Sequence, residues 1–165
     1  MGSDQKLRRD RVVFYERDIT RFDGELDGFL ELSGARSAFL IDKDGHLVTR
    51  RGESEEKALD SVCALVAGSF AATRELARLM GEDQFTNLYH QGGRDSIQIS
   101  LIGNQALLAM VFDDRTSLGL VKYYAVETIK RLEEILQEIE SRVGETEALS
   151  SDFGNSAAEA LDRLF

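Results

Sequence analysis

The stretch IQISLIGNQALLAMVFDDRTSLGLV, Ile97 to Val121, constrains the fold more than any other part of the chain. Two apolar runs flank Gly103-Asn104. Gly-Asn between strand-like runs is a two-residue hairpin signal, because glycine reaches the positive φ that tight hairpin turns demand. The second run ends in Asp113-Asp114-Arg115-Thr116-Ser117. Asp, Thr and Ser oxygens accept the orphan N–H groups at a helix start, and a helical pattern follows. The stretch reads strand, tight turn, strand, cap, helix, and the chain reads as an α+β domain.

The rest of the chain repeats these devices. Tyr15, Ile19, Phe22, Leu26 and Phe29 form one helical stripe between Val12 and Leu32, ended by Ser33-Gly34. Ala38–Ile41 is a short buried strand, Asp42-Lys43-Asp44-Gly45 a turn, and His46–Arg51 the returning strand. A type I′ turn at Asp44-Gly45 is expected there. Ser54 is the expected N-cap of a second helix from Glu55 to Met80, stopped by Gly81, with Glu53, Glu55 and Glu56 suited to its dipole. A third strand is expected near Asn87–Gln91, ahead of the hairpin. The last helix runs from Leu118 to Val143 with Leu118, Val121, Ala125, Ile129, Leu132, Leu136, Ile139 and Val143 on one face, and Gly144 closes it. Short turns between strands make the sheet antiparallel. The expected fold is a five-stranded antiparallel sheet between helices, in the order α-β-β-α-β-β-β-α. The second helix covers one face, the first and last cover the other. The domain is expected over residues 11–143, with 144–165 as a flexible C-terminal tail containing a possible short helix around Leu161, Leu164 and Phe165.

Composition narrows the function. The formal net charge is -10. That argues against nucleic acid, whose binding draws on cationic counterion release, and against an anionic membrane surface. No apolar run is long enough to span a bilayer, and the start has no secretory h-region. The single cysteine, Cys63, forms no internal disulfide, fits a reducing cytoplasm, and reads as a small core residue. Asp42 to Gly45 fails as a calcium loop, because its Gly stands fourth and position twelve is Glu53 beyond a strand. His46 and His90 have no second ligand beside them, and no phosphate loop or nucleophile elbow occurs. No metal, no cofactor and no catalytic residues are expected, and the chain reads as a binding protein rather than an enzyme.

The second helix is the informative element. Leu59, Val62, Cys63, Val66, Phe70, Ala77 and Met80 make one stripe, and Leu65, Ser69, Ala72, Leu76 and Leu79 a second; both are expected to face the sheet. Ala64, Gly68, Ala71, Glu75 and Arg78 turn away. A glycine inside a helix costs about 0.8–1 kcal/mol against alanine, and nothing local requires Gly68. Small residues there suit either a solvated face or the close approach of a second body. With Ala67 and Ala72 flanking it, this surface is the candidate partner site.

Several phrases together carry a resemblance: FLIDKDGHLV (Phe39–Val48), LVAGSFAA (Leu65–Ala72), LARLMGEDQF (Leu76–Phe85), YHQGGRDSIQISLIGN (Tyr89–Asn104) and VFDDRTSLGLVK (Val111–Lys122). Over roughly Ser37 to Val143 the chain resembles the Roadblock family of small dimeric platforms, and within it the bacterial partners of Ras-like GTPases. The resemblance implies a homodimer with a continuous sheet joined through the third strands, the second helices lying side by side. It implies binding of the GTP form of a Ras-like small GTPase and stimulation of hydrolysis without an arginine supplied in trans, although Arg74, Arg78 and Arg115 are tempting because such a residue can be worth 10³–10⁵ in rate. It implies cell-polarity or motility regulation, recruitment to a cell pole, and a second GTPase contact by Leu161, Leu164 and Phe165. The alternative it leaves is a Roadblock scaffold that binds a GTPase or other protein without accelerating hydrolysis. Charge at Arg74-Glu75 departs from the small residues common there and favours that alternative.

Overall fold

The computed structural model describes residues 14–53 and 58–164. Three helices and five strands follow in the order α1 (Glu16–Ser33), β1 (Ser37–Asp42), β2 (Leu47–Gly52), α2 (Leu59–Leu79), β3 (Asn87–Gln91), β4 (Ser96–Ile102), β5 (Ala106–Phe112) and α3 (Leu118–Leu164). The strands form one sheet in the order β2-β1-β5-β4-β3, antiparallel at every step. Leu40 faces Thr49 of β2 and Leu108 of β5, and Ile99 of β4 faces Ala109 of β5.

Side chains on a strand alternate between faces, so β1 and β5 must be apolar throughout once helices cover both. Ala38, Leu40, Leu108 and Met110 join Phe22, Leu26 and Phe29 of α1 and Val121, Leu132 and Ile139 of α3 in one core. Phe39, Ile41, Ile99 and Ala109 join Cys63, Val66 and Phe70 of α2 in the other. Each fully buried Leu or Phe contributes about 1.5–3 kcal/mol. The layer order and the division of the helices follow the expectation.

Local signals place these elements. Gly34 ends α1 at φ 74, its N–H donating to the Leu30 carbonyl. Gly103 sits at φ 56, and the Gln105 N–H closes the β4–β5 turn on the Ile102 carbonyl at 3.2 Å. Ser117 caps α3 by accepting from the Leu120 N–H at 3.3 Å, and Thr116 ties the cap to α1 by donating to the Ser33 carbonyl at 2.6 Å. Ion pairs line the antiparallel α1–α3 seam: Arg142–Asp18 at 2.7 Å, Arg21–Glu138 at 2.7 Å and Arg131–Glu25 at 3.4 Å.

Two local expectations change. The β1–β2 turn is not type I′, which would need φ above zero at Asp44; only Gly45 is left-handed, at φ 87. The Gly45 N–H closes on the Asp42 carbonyl, and Asp42 Oδ1 accepts from the Asp44 and His46 N–H groups, each at 2.9 Å. Gly144 does not close the last helix, because it keeps a negative φ and the helix runs through it to Leu164. In the segment expected as a tail, Leu161 and Leu164 therefore lie on helix, exposed. Ser54, the expected cap of α2, and Phe165 lie outside the described residues.

Candidate functional site

The helical repeat places α2 so that one narrow stripe meets the sheet. Cys63, Val66 and Phe70 are its buried residues, with Leu59, Val62 and Ala67 partly buried beside them. Of the seven candidate partner residues, Ala64, Gly68, Ala71, Ala72, Glu75 and Arg78 are exposed. Ala67 is different: it is half-buried against the β1–β2 turn, where a Cβ on Gly45 would stand 3.3 Å from the Ala67 Cβ and from the Ala64 Cα. Glycine at position 45 lets this turn pass close under α2. A Cβ on Gly68 would meet nothing within 4 Å, so nothing inside the described residues accounts for a glycine there.

The second apolar stripe does not face the sheet. Leu65 and Leu79 are each 71 % exposed, Leu76 is 57 % exposed, and Met80, assigned to the first stripe, is 78 % exposed. With Ser69 and Ala72, both exposed, Leu65, Leu76 and Leu79 recur every three or four residues along the outer side of α2. Periodicity found both stripes but could not say which one the sheet would bury. The usable signal was width: two apolar stripes plus a small-residue stripe span more of a helix than one sheet can cover. The outer side of α2 is thus continuous, small residues on one flank and leucines on the other.

Beyond Asp60 in the first turn, the charges of this surface cluster in its C-terminal half. Arg78 Nε donates to Glu75 Oε2 at 3.0 Å, and the guanidinium holds the Glu75 carboxyl below its ordinary range. Arg74, Arg78 and Lys43 rim a groove of about 400 Å³ between α2 and the β4–β5 turn, with Phe70, Phe85 and Leu107 lining it. Phe70 and Phe85 pack with ring centroids 5.2 Å apart. Arg115 is tied elsewhere: its Nε donates to Asp113 Oδ1 at 3.0 Å, and this pairing lowers the Asp113 carboxyl.

β3 is a second exposed element. It is the outermost strand on one side of the sheet and is exposed along almost its whole length. Tyr89 stacks on Phe112 across β4, with centroids 6.2 Å apart. Asp42, Asp44 and His46 bring potential metal ligands within 4.8 Å of one another, but the Asp42 contacts described above form an Asx turn that accounts for the grouping. Among the described residues, no helix is long and apolar enough to cross a membrane.

The Roadblock/LC7 domain profile matches residues 23–112. The gliding protein MglB of Thermus thermophilus superposes with a TM-score of 0.71 at 36% identity, over 76% of this chain and 96% of that one. MglB of Myxococcus xanthus gives 0.69 at 34% identity, over 72% and 97% of the two chains. An MglB solved in a tetrameric arrangement gives 0.72 at 35%, over 77% and 96%. No curated protein sequence matches significantly. A profile match over more than half the chain, with identity above a third across nearly the whole length of solved MglB chains, places this chain in the Roadblock/LC7 family.

Proposed function

We propose that this chain is a homodimeric regulator of a small Ras-like GTPase of the MglA type, which it binds in the GTP form and stimulates without supplying an arginine. The observation that carries the reading is the outer side of α2: a small-residue flank at Ala64, Gly68 and Ala71, with Ala72 beside it, on a helix whose opposite stripe is anchored in the core. The likeness to solved MglB chains supports reading the chain as an MglB-type protein. A regulator needs a surface rather than a pocket lined by reacting groups, and two of the three candidate arginines are already paired, Arg78 with Glu75 and Arg115 with Asp113, which supports activation through the GTPase's own residues. Work in bacterial polarity or motility, at a cell pole, belongs to the same proposal.

Two copies joined through β3 would bring two α2 surfaces onto one side. Leu161, Leu164 and Phe165 would make a second contact with the same GTPase. The test is phosphate release by the GTPase with and without saturating protein. Acceleration is expected, and Ala71→Arg, which places a long charged side chain on the small-residue flank, is expected to abolish both complex and acceleration while leaving the circular dichroism spectrum and melting temperature unchanged. Complex formation that survives Ala71→Arg would remove α2 from the partner surface.

The second reading, a scaffold that binds without accelerating, is favoured by the charges of Arg74, Glu75 and Arg78, which interrupt the small-residue flank. Stable binding with an unchanged hydrolysis rate would select it.

A further inference from the structure

At the turn end of the sheet lies a groove of about 560 Å³ on the face opposite α2. Phe14, Leu40, Val48, Ile102 and Leu136 line its apolar floor. Its rim carries Asp42, Asp44, Glu133 and Glu140 against one cation, Lys43. A second groove of about 650 Å³ shares Phe14, Asp42 and Asp44 with the first and reaches Asp60 at the start of α2. Glu140 accepts from Gln105 Nε2 and Glu133 from Gln137 Nε2 at 3.5 Å, so the acidic rim meets neutral donors there. An apolar floor under an acidic rim calls for a segment that is both apolar and basic.

The chain itself encodes such a segment. Phe14, the first described residue, lies in both grooves, its ring edge-on to Phe22 at 5.8 Å. The residues directly before it read Lys6-Leu7-Arg8-Arg9-Asp10-Arg11-Val12-Val13: four cations, one acid and three branched apolar side chains. We propose that this belt of grooves is the docking site of the chain's own residues 6–13. Leu7, Val12 and Val13 would meet the apolar floor, and the cations would meet the acidic rim. Attachment at Phe14 makes the contact intramolecular, at an effective concentration on the order of millimolar, so weak contacts suffice. The second groove ends at Ala64, on the proposed partner surface, so an occupied belt would border the GTPase contact.

The test uses the full chain with Arg9→Cys carrying a nitroxide; Cys63 is buried and does not compete for the label. Amide signals of Asp44, Gly103 and Gln137 in the isotope-labelled protein are expected to lose intensity, and to recover on reduction of the nitroxide. Asp44→Arg with Glu140→Arg, in a chain of unchanged melting temperature, is expected to restore the signals, as is raised salt, which screens exposed charge pairs. Full intensity at these amides in the parent chain would overturn the proposal. Loss of intensity only when spin-labelled chains are mixed with separate isotope-labelled chains would also overturn it, because a second copy would then be the occupant.

Discussion

Arg142 holds the last helix against the start of the first, and removing it should expose a buried carboxylate with a calculable cost. Asp18 is 2 % exposed. Its carboxylate accepts two N–H bonds from the Arg142 guanidinium, at 3.2 and 2.7 Å, and one from the Tyr15 backbone at 2.9 Å. The guanidinium also lies 4.5 Å from the centroid of the Tyr15 ring. Arg142→Met keeps an apolar stem and deletes the charge. Removing one partner of a buried pair costs about 3–5 kcal/mol. The Arg142 side chain is 27 % exposed, so water would replace part of what is lost, and the Tyr15 N–H stays in place. The expected loss is therefore about 2–3 kcal/mol, below the fully buried range. Asp18→Asn removes the buried charge and leaves the partly exposed Arg142 to water, but the amide keeps only one acceptor oxygen and turns an N–H toward a donor, so its expected loss is about 1–2 kcal/mol.

The pH dependence separates this account from simple loss of packing. Hydrogen bonding from Arg142 holds the Asp18 carboxyl below its ordinary range, against the opposing effect of burial. A lowered folded-state value means that the pair stabilises the fold above the unfolded value of about 3.9, and that this stability is lost as pH falls through the lower folded value. In Arg142→Met the guanidinium no longer offsets burial, so the Asp18 carboxyl shifts back upward toward its ordinary range and the stabilisation that the pair supplies at higher pH is lost. The gap between parent and variant should widen from pH 3 toward neutrality. Urea unfolding at several pH values, followed by circular dichroism, measures it. Equal losses for Arg142→Met and Asp18→Asn, or a gap that does not change with pH, would refute the buried-pair account.

Two further substitutions probe the surface. Leu76→Ser on the outer stripe of α2 should leave unfolding free energy within about 0.5 kcal/mol of the parent, as for exposed positions generally, while weakening self-association in sedimentation equilibrium; unchanged association would remove this stripe from the assembly. Arg115→Ala should leave the urea midpoint nearly unchanged, because its pair with Asp113 is solvent-exposed on the arginine side, and should leave GTPase stimulation intact. A fall in stimulation of about 10³-fold or more would instead identify Arg115 as an arginine supplied in trans.

What was legible in the residues was what local chemistry dictates. Gly103 and Ser117 each satisfy a backbone requirement within a few residues, and both stand where the opening stretch places them. The two-sided burial of β1 and β5 followed from unbroken apolar runs with helical stripes on either side. What was not legible depended on distant partners. Leu65 and Leu76 are as apolar as Val66 and Phe70, and only the position of the sheet decides which pair is buried. Gly144 has the composition of a helix end, but a glycine stops a helix only where the chain takes the left-handed conformation, as Gly34 does and Gly144 does not. Asp18 gave no sign of being buried, because its partner Arg142 is 124 residues away.

The edge strand bears on the assembly in the same physical terms. Proteins that keep a sheet edge unpaired usually blunt it with proline, a bulge, or charged side chains along the strand. β3, Asn-Leu-Tyr-His-Gln, has no proline, lysine, arginine or acid, and its register with β4 runs from Asn87 opposite Ser100 to Gln91 opposite Ser96 without a shift. Its outward N–H and C=O groups are left able to pair, while the outer leucines of α2 lie uncovered on the sheet's α2 side. Both exposures would be relieved by one event, antiparallel pairing of two β3 strands across a two-fold axis, since continuing the sheet keeps its two faces distinct and sets both α2 helices on the same side. That economy favours a dimer formed through β3 over one formed through α2 alone, which would leave the strand edge open. A single charged residue on the strand therefore distinguishes the two arrangements: Tyr89→Lys should dissociate a β3-mediated dimer and leave an α2-mediated one intact.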